Sequence, residues 1–415
     1  MLSTFDTYLP AADYPAGTSV VLGFSGGLDT SFCAALLALE KKWTVHSVTI
    51  NTGGFSPEEL QAIEARAYAL GVASHITIDA IQPYYDQIIR FLIFGNVLKN
   101  QTYPLSVSAE RLIQARQLVA YAKQQGVNVI AHGSTGAGND QVRFDLIFQV
   151  EMPGVQIITP IRDLRLSRDA ELDYLEARGI PVQREKAAYS INKGLWGTSV
   201  GGRETLTSEQ FLPESAWPTP VTATTPRQIK LLFENGEPVA LDGMRYAHPV
   251  ELIQALQALA GPYGIGRDIH VGDTIIGLKG RVGFEAAAPV ILLKAHYALE
   301  KHVLTKWQLQ WKEQLASFYG NYLHEGLILD PVMRDIEAFF QNSQQRVSGN
   351  VFVELHPHRF QVLGVDSPFD MMRSPRGQYG EMNSGWTGTD VRGFTTVYGN
   401  ALQIYHAIKP TGDDN

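Results

Sequence analysis

The segment Phe24-Ser25-Gly26-Gly27-Leu28-Asp29-Thr30-Ser31 constrains this chain more than any other. It follows Ser19-Val-Val-Leu-Gly-Phe24, a short apolar run rich in β-branched residues that reads as a buried strand. It leads into Thr30 to Lys42, where apolar residues recur at helical spacing. A strand that turns at once into a helix through paired glycines brings backbone N–H groups to one point, and the helix N-terminus adds partial positive charge there. The hydroxyls of Ser25, Thr30 and Ser31 add donors, so the segment suits a phosphate. Asp29 is out of place beside phosphates unless a cation accompanies them, which implies Mg2+ with Asp29 as its candidate ligand. No Lys follows the glycines, so this is not the nucleotide loop that ends in Gly-Lys-Ser/Thr. A glycine-rich turn capped by Ser and Asp would need no ligand, but the strand–helix setting argues against that bland alternative.

The alternation of strand and helix continues. Thr44 to Ile50, Ser74 to Ile78, Val127 to Ala131 and Val155 to Thr159 read as strands. Ser56 at N-cap, Pro57 at N1 and Glu59 at N3 spell a capping box, and Gly71 stops that helix after Leu70. Helical stretches near Pro83–Leu98, Ser108–Gln125 and Ser167 to Arg178 fill other connections. The expected fold class is α/β, with an N-terminal doubly wound parallel sheet whose ligands lie at the carboxyl ends of its strands.

Then the pattern changes. Ala187 to Pro226 is rich in Gly, Ser, Thr and Pro and too long for an idle connection, so it is a linker or a functional loop. Asn235-Gly236 between Ile229–Glu234 and Pro238–Asp242 signals a type I′ hairpin. Helices are expected near Pro249–Ala260, Pro289–Gln314 and Pro331–Gln344, with a hairpin over Val351–Leu355 and Phe360–Val365. This half reads as α+β. Gly393 to Lys409 reads as a terminal helix, and Asn383–Thr389 before it as part of an arm. The expected division is 1–18 (extension), 19–186 (nucleotide-binding domain), 187–382 (α+β domain) and 383–415 (arm).

A second polar segment follows the strand ending at Ala131: His132-Gly-Ser-Thr-Gly-Ala-Gly-Asn-Asp-Gln-Val-Arg-Phe144. Such a density of glycines, hydroxyls, amide, carboxylate and guanidinium at a strand end suits a small-molecule site. A long surface turn before a capped helix is the bland alternative. Net charge is −8 with no strongly basic segment, which disfavours nucleic acid and anionic membrane as partners. Cys33 is the single cysteine, so no intrachain disulfide forms, as expected of a cytoplasmic protein. Met1 to Thr18 lacks the basic start and apolar run of a secretory signal, and no stretch approaches the roughly 18 apolar residues of a membrane span. No catalytic Cys or Ser-His-Asp pattern stands out in the sequence.

The first segment resembles the S-G-G-x-D-[ST]-S loop of enzymes that cut ATP between the α- and β-phosphates. With H-G-S-T-G-A-G-N-D-Q-V-R-F beside it, the chain resembles the argininosuccinate synthases, whose signatures are S-G-G-L-D-T-S and H-G-[AS]-T-G-x-G-N-D-Q-V-R-F. Further matches are Tyr103 to Ser108, Tyr189-Ser190 with Ser199, Gly264-Ile-Gly-Arg267, Gly277-Leu-Lys-Gly-Arg281 and Ser343-Gln-Gln-Arg346. The resemblance implies an ATP pyrophosphatase (adenine nucleotide alpha-hydrolase-like) sheet, a synthetase and multimerisation domain, and a homotetramer held by C-terminal helical arms. It implies an AMP-forming carbon–nitrogen ligase of arginine biosynthesis that uses ATP and Mg2+. The ureido oxygen of citrulline would attack ATP to give a citrullyl-adenylate and pyrophosphate, and the amine of aspartate would displace AMP. By resemblance Gly23, Phe24, Ser25, Gly26, Gly27, Leu28, Asp29, Thr30 and Ser31, with Ile50 and Gly133, hold ATP. Thr135, Asn139 and Asp140 hold aspartate. Tyr103, Ser108, Asn139, Arg143, Ser190, Ser199 and the positions of Gly272 and Phe284 hold citrulline. Asp29, Asp140 and Arg143 are the candidate catalytic residues, Arg143 as partner of a carboxylate and Asp140 of an ammonium.

The chain departs from that family's pattern on one side. A family Lys in the second segment is Ala137 here, for which Arg162 is a candidate substitute. A family Glu and Tyr align with Gly272 and Phe284, and a family Thr with Val107. These changes raise two alternatives: the same ligase chemistry on an N-acylated citrulline, with Lys279, Arg281 or Arg203 meeting an acyl carboxylate, or a non-catalytic nucleotide-binding protein. A tRNA sulfur-transfer enzyme would need a basic face and reactive cysteines, against a net charge of −8 and a single cysteine here, and an ammonia-fed amide synthetase gives no reason for the second segment.

Overall fold

Val20, Val21 and Leu22 are wholly buried, and Ser19–Gly23 (β1) forms the centre of a sheet. The computed structural model describes residues 14–182, 189–377, 379–380 and 385–408. The other expected strands are Thr44–Asn51 (β2), Ser74–Asp79 (β3), Val129–Ala131 (β4) and Gln156–Ile158 (β5). All pair in parallel, in the order β3-β2-β1-β4-β5. The order reverses between β1 and β4, which opens a crevice beyond their carboxyl ends. Both polar segments found in the sequence leave from those two ends.

Strand alternation splits the packing. Val20 and Leu22 face Phe32, Val45 and Val129 on one side. Val21, Val48 and Ile130 face a core that runs on into the second half through Trp196, Ile291, Phe340 and Val351. The capping box is present: Ser56 Oγ accepts from Glu59 N at 3.2 Å and Ser56 N donates to Glu59 Oε2 at 2.8 Å. That helix spans Pro57–Ala69, and Gly71 follows at φ 84°. The helix expected from Thr30 begins earlier, as Leu28–Ala35, and widens into a π turn to Glu40. The stretch expected over 83–98 runs from Ile81 to Gly95 and stops at Asn96 in the left-handed conformation. Glu110–Gln125, Asp140–Glu151 and Arg168–Glu176 complete this half's long helices.

In the second half the Gly/Ser-rich stretch is built structure. It contains Ser190–Gly194 (β6) and Gly197–Gly201 (β7); its first residues, up to 188, lie outside the described residues. Arg227–Glu234 (β8) and Glu237–Leu241 (β9) flank Asn235 and Gly236 at φ 48° and 82°, the two left-handed residues a type I′ turn needs. Met244–Arg245 (β10) extends that sheet. Arg267–Asp273 (β11) and Lys279–Glu285 (β12) are strands that the sequence pattern does not reveal. Gly349–His356 (β13) and Arg359–Asp366 (β14) form the expected second hairpin. Two antiparallel sheets result, β10-β9-β8-β13-β14 and β11-β12-β7-β6.

Pro249–Ala260 and Pro331–Ser343 are helical as expected. The single helix expected over 289–314 is instead two, Ala287–Val303 and Lys306–Glu325. Leu304 is extended, and Thr305 starts the second helix with a capping box to Gln308. Near the end, Gly388–Tyr398 and Asn400–Ala407 are helices without a buried residue, and Phe394, Tyr398, Leu402 and Tyr405 are exposed. Residues 1–13 of the expected extension and 383–384 and 409–415 of the expected arm, with Lys409 of its helix, lie outside the described residues. Among the described residues no helix is long and apolar enough to cross a membrane.

The two halves meet without slack beside the crevice. Leu195 N donates to Thr52 O at 2.9 Å. A Cβ on Gly54 would fall 1.9 Å from Lys193 O, and one on Gly194 would fall 2.1 Å from Glu110 Oε2. Gly54→Ala therefore forces β6 off the end of β2. We expect a loss of about 3 kcal/mol in denaturant unfolding, at the upper end of overpacking effects, and an unchanged midpoint would contradict this contact.

Candidate functional site

The crevice is one cavity of about 1250 Å³. Both halves line it: the loop after β1, the loop after β4, the helix Glu110–Gln125, β6, β7, β11 and β12.

The first loop is ordered by its own side chains. Gly27 N donates to Ser25 Oγ at 3.4 Å, Thr30 Oγ1 donates to Gly27 O at 3.3 Å, and Ser25 N donates to Thr30 Oγ1 at 3.3 Å. Gly26 sits at φ 73°, with Ile63 Cγ1 2.9 Å from where its Cβ would be, so only glycine fits. Gly133 brings the second loop against the first: its Cβ would lie 3.2 Å from Asp29 C and Thr30 N. Gly23 to Thr30, Ile50 and Gly133 all line the cavity. Ser31 does not. It is buried, donates to Gly26 O at 3.5 Å and accepts from Arg66 Nε at 2.8 Å. Arg66 and Arg168 are cavity-lining cations that motif reading missed.

In the second loop, Thr135, Asn139, Asp140 and Arg143 line the cavity. His132 is structural: Nδ1 accepts from Ser134 N at 3.2 Å and Nε2 faces Asp145 Oδ1 at 2.9 Å. Arg162 is committed elsewhere, to Asp145 at 2.7 Å and Thr159 at 3.1 Å, and is not part of the cavity wall. It does not replace the cation absent at Ala137. Asn139 Oδ1 accepts from Ile275 N at 2.8 Å, which ties the loop to the β11–β12 turn and leaves its amide N–H groups for a ligand.

Asp140 and Arg143 differ from the simple roles expected of them. Arg143 is 3% exposed, and its Nε and Nη2 donate to His324 O at 2.9 and 2.7 Å. Its Nη1 donates to Asp140 Oδ1 at 2.7 Å. The face of the fork expected to meet a carboxylate is thus taken by a backbone carbonyl. Asp140 Oδ2 accepts from Arg111 Nε at 3.0 Å. Burial pushes the Asp140 carboxyl up, but Arg111 and Arg143 outweigh it and hold it below the ordinary value. Arg111 is the residue sequence reasoning missed most. Its Nη1 donates to Glu110 at 2.8 Å and Gln114 at 3.0 Å, and its Nη2 to Asn192 at 3.0 Å.

On the remaining wall Tyr103, Ser108, Ser190, Ser199 and Gly272 line the cavity as expected. Tyr103 OH accepts from Val107 N at 3.2 Å. Ser108 Oγ is buried without a partner. Phe284 is 1% exposed and stays behind the wall, its ring 5.3 Å from that of Tyr103, so it supports the site without entering it. Arg281 lines the cavity; Arg203 and Lys279 do not, and their side chains are largely exposed. Trp196 is a loop anchor, buried with Nε1 donating to Pro104 O at 3.0 Å.

Among the described residues, no group of three or more His, Cys, Asp or Glu is placed to hold a metal ion. Asp29 lines the cavity and shares a hydrogen bond with the buried Glu171, whose carboxyl burial and then Asp29 push up to about 9, so Glu171 carries the proton and Asp29 the charge, one carboxylate for a Mg2+ ion that arrives with nucleotide phosphates and keeps several waters.

A glycine-rich loop at the switch point of a parallel sheet, with an antiparallel sheet lining the same crevice, defines an α/β protein with a small-molecule site at its strand ends. The arginosuccinate synthase N-terminal HUP domain matches residues 19–181, and the arginosuccinate synthase C-terminal domain matches residues 189–405. An argininosuccinate synthase of Methanocaldococcus jannaschii is 40% identical over 84% of this chain and 88% of its own. One from Xanthomonas campestris is 38% identical over 94% of this chain and 98% of its own. The chain belongs to the argininosuccinate synthase family.

Glu110 gives a pH test of this wall. It is 1% exposed; burial raises its carboxyl to about 7, against the pull of Arg111 and of the Thr52 hydroxyl at 2.9 Å. The folded chain therefore holds a proton that the unfolded chain releases at the ordinary value of 4.5. Its contribution to stability is full below that value and is lost as pH rises through about 7. Glu110→Gln removes the effect, so the unfolding free energy of the variant relative to wild type should rise by about 2 to 3 kcal/mol from pH 5 to pH 8. A pH-independent difference would contradict the assignment.

Proposed function

We propose that this chain joins citrulline to aspartate in an ATP-driven, AMP-forming reaction that yields argininosuccinate. The observation that carries the reading is the meeting of both signature loops at the β1/β4 switch point, in one cavity with Tyr103, Ser108, Ser190 and Ser199. The backbone of Gly23 to Thr30 would cradle the phosphates, with Ile50 at the adenine side. Asp29 would hold Mg2+, which shields phosphate charge when bound. The ureido oxygen of citrulline forms a bond to the α-phosphorus, and the bond to the pyrophosphate oxygen breaks. The aspartate amine then bonds to the ureido carbon, loses a proton, and AMP leaves with the former ureido oxygen. This chain's residues bind and orient; none need act as a nucleophile.

Thr135, the amide N–H groups of Asn139, and Asp140 with its arginines would hold aspartate. Asp140 and Arg143 act here as one paired unit, not as two free charges. Tyr103, Ser108, Asn139, Ser190, Ser199 and Gly272 would hold citrulline, with Arg143 acting through Asp140. The same reading divides the chain at 18/19, 186/187 and 382/383, and places it in the cytoplasm. It makes the apolar surface of Gly388–Tyr398 and Asn400–Ala407 a docking face within a homotetramer.

The test is aspartate-dependent formation of AMP, pyrophosphate and argininosuccinate from ATP, Mg2+ and citrulline. Turnover requiring all three substrates supports the reading, and absence of turnover overturns it. Asp29→Asn should lower kcat about 100-fold and raise the Mg2+ concentration needed for half-maximal rate. An unaltered Mg2+ requirement would contradict the role of Asp29.

A further inference from the structure

His270, on β11, has no part in the scheme above, although it lies on the cavity wall. It is 6% exposed and stacks on Tyr103, with ring centroids 5.0 Å apart and planes at 24°. Burial, and then the charge of Lys99, hold the imidazole below the ordinary histidine range, so it is neutral near pH 7. A neutral imidazole keeps one nitrogen lone pair as an acceptor. Nδ1 is buried without a partner, and among the described residues Nε2 makes no hydrogen bond. Nε2 points at the place where residue 272 has no side chain: a Cβ there would lie 2.7 Å from it. Gly272 thus makes room for the imidazole beside the cavity that both residues line.

The carboxylates of the cavity wall are otherwise engaged. Asp140 serves Arg111 and Arg143, and Glu110 serves Thr52 and Arg111. Glu59 closes its capping box, and Asp273 pairs with Lys279 at the surface. Asp29 belongs to the phosphate loop. An acceptor amino acid whose ureido end meets that loop carries its α-carbon toward the wall built by the second half. A nitrogen there finds no unengaged buried carboxylate, but it finds Nε2.

We propose that His270 Nε2 accepts a hydrogen bond from the α-nitrogen of the citrulline acceptor, and that Gly272 gives it access. The inference rests on the ligase reading above, and its test separates the two. KM and kcat are measured for wild type, His270→Leu, His270→Gln and Gly272→Ala, with citrulline and with 5-ureidopentanoate, which lacks the α-nitrogen. His270→Leu removes the lone pair and should raise KM for citrulline about tenfold or more, a lost bond to a charged donor. KM for ATP and aspartate should stay within about twofold. His270→Gln, whose amide oxygen replaces Nε2, should recover most of the loss. Gly272→Ala, whose Cβ would fall 2.7 Å from Nε2 and push the imidazole aside, should raise KM for citrulline as well. With 5-ureidopentanoate, wild type and His270→Leu should not differ. Equal losses with both acceptors, or no change in KM for citrulline, would overturn the role of His270. No turnover by wild type would overturn the ligase reading itself.

Discussion

The arrangement of this site depends on one charge cluster, Arg143–Asp140–Arg111, in which two largely buried guanidinium groups hold a carboxylate that opens to the cavity. Removing guanidinium and carboxylate groups from water is expensive, and the cluster is tolerable only because its partners are close and numerous. Those partners come from distant parts of the chain: His324 on the helix Lys306–Glu325, Asn192 on β6, Glu110 and Gln114 on the helix under the parallel sheet. The electrostatic requirement therefore fixes the second half against the first. Removing Asp140 would leave Arg143 with only the His324 carbonyl and Arg111 with Glu110, Gln114 and Asn192, and so take away the one bond that links the two guanidinium groups. The cavity is the space left once these partners are satisfied.

The glycines work in the same direction. Gly26 allows the loop after β1 its left-handed turn, Gly133 lets the second loop touch the first, and Gly54 lets β6 cross the end of β2. Each removes a side chain where two backbones, or a backbone and a side chain, must approach closely. The chain thus builds its site from backbone donors and pre-paired side chains, which suits a reaction whose demand is orientation and phosphate charge.

Much of this was legible in the sequence, for identifiable reasons. β1 to β5 are short apolar runs bounded by turn residues, and Ser56-Pro57-Glu58-Glu59 is a cap written in local chemistry. The two loops were legible because their signature is contiguous. β11 and β12 were not: Gly272, Gly280 and Gly283 interrupt the β-branched pattern, and their pairing is decided by each other and by β7. The break at Leu304-Thr305 had a readable signal, since Thr305 and Gln308 have capping-box spacing, but the apolar periodicity ran through it. Arg111 and His270 carry no local signature at all. Their importance arises from contacts more than 25 residues away in sequence, such as Arg111 with Asp140 and with Asn192. Phe284 shows the converse: alignment placed it at the acceptor, and packing against Tyr103 keeps it behind the wall.

The central claim is that one cavity activates the ureido oxygen by transferring adenylate to it before the aspartate amine arrives. The most direct measurement uses citrulline labelled with oxygen-18 in the ureido group, with ATP, Mg2+ and aspartate, and mass spectrometry of the nucleotide product. The account predicts AMP carrying one labelled oxygen per argininosuccinate formed. Unlabelled AMP, or ADP as the product, would contradict it.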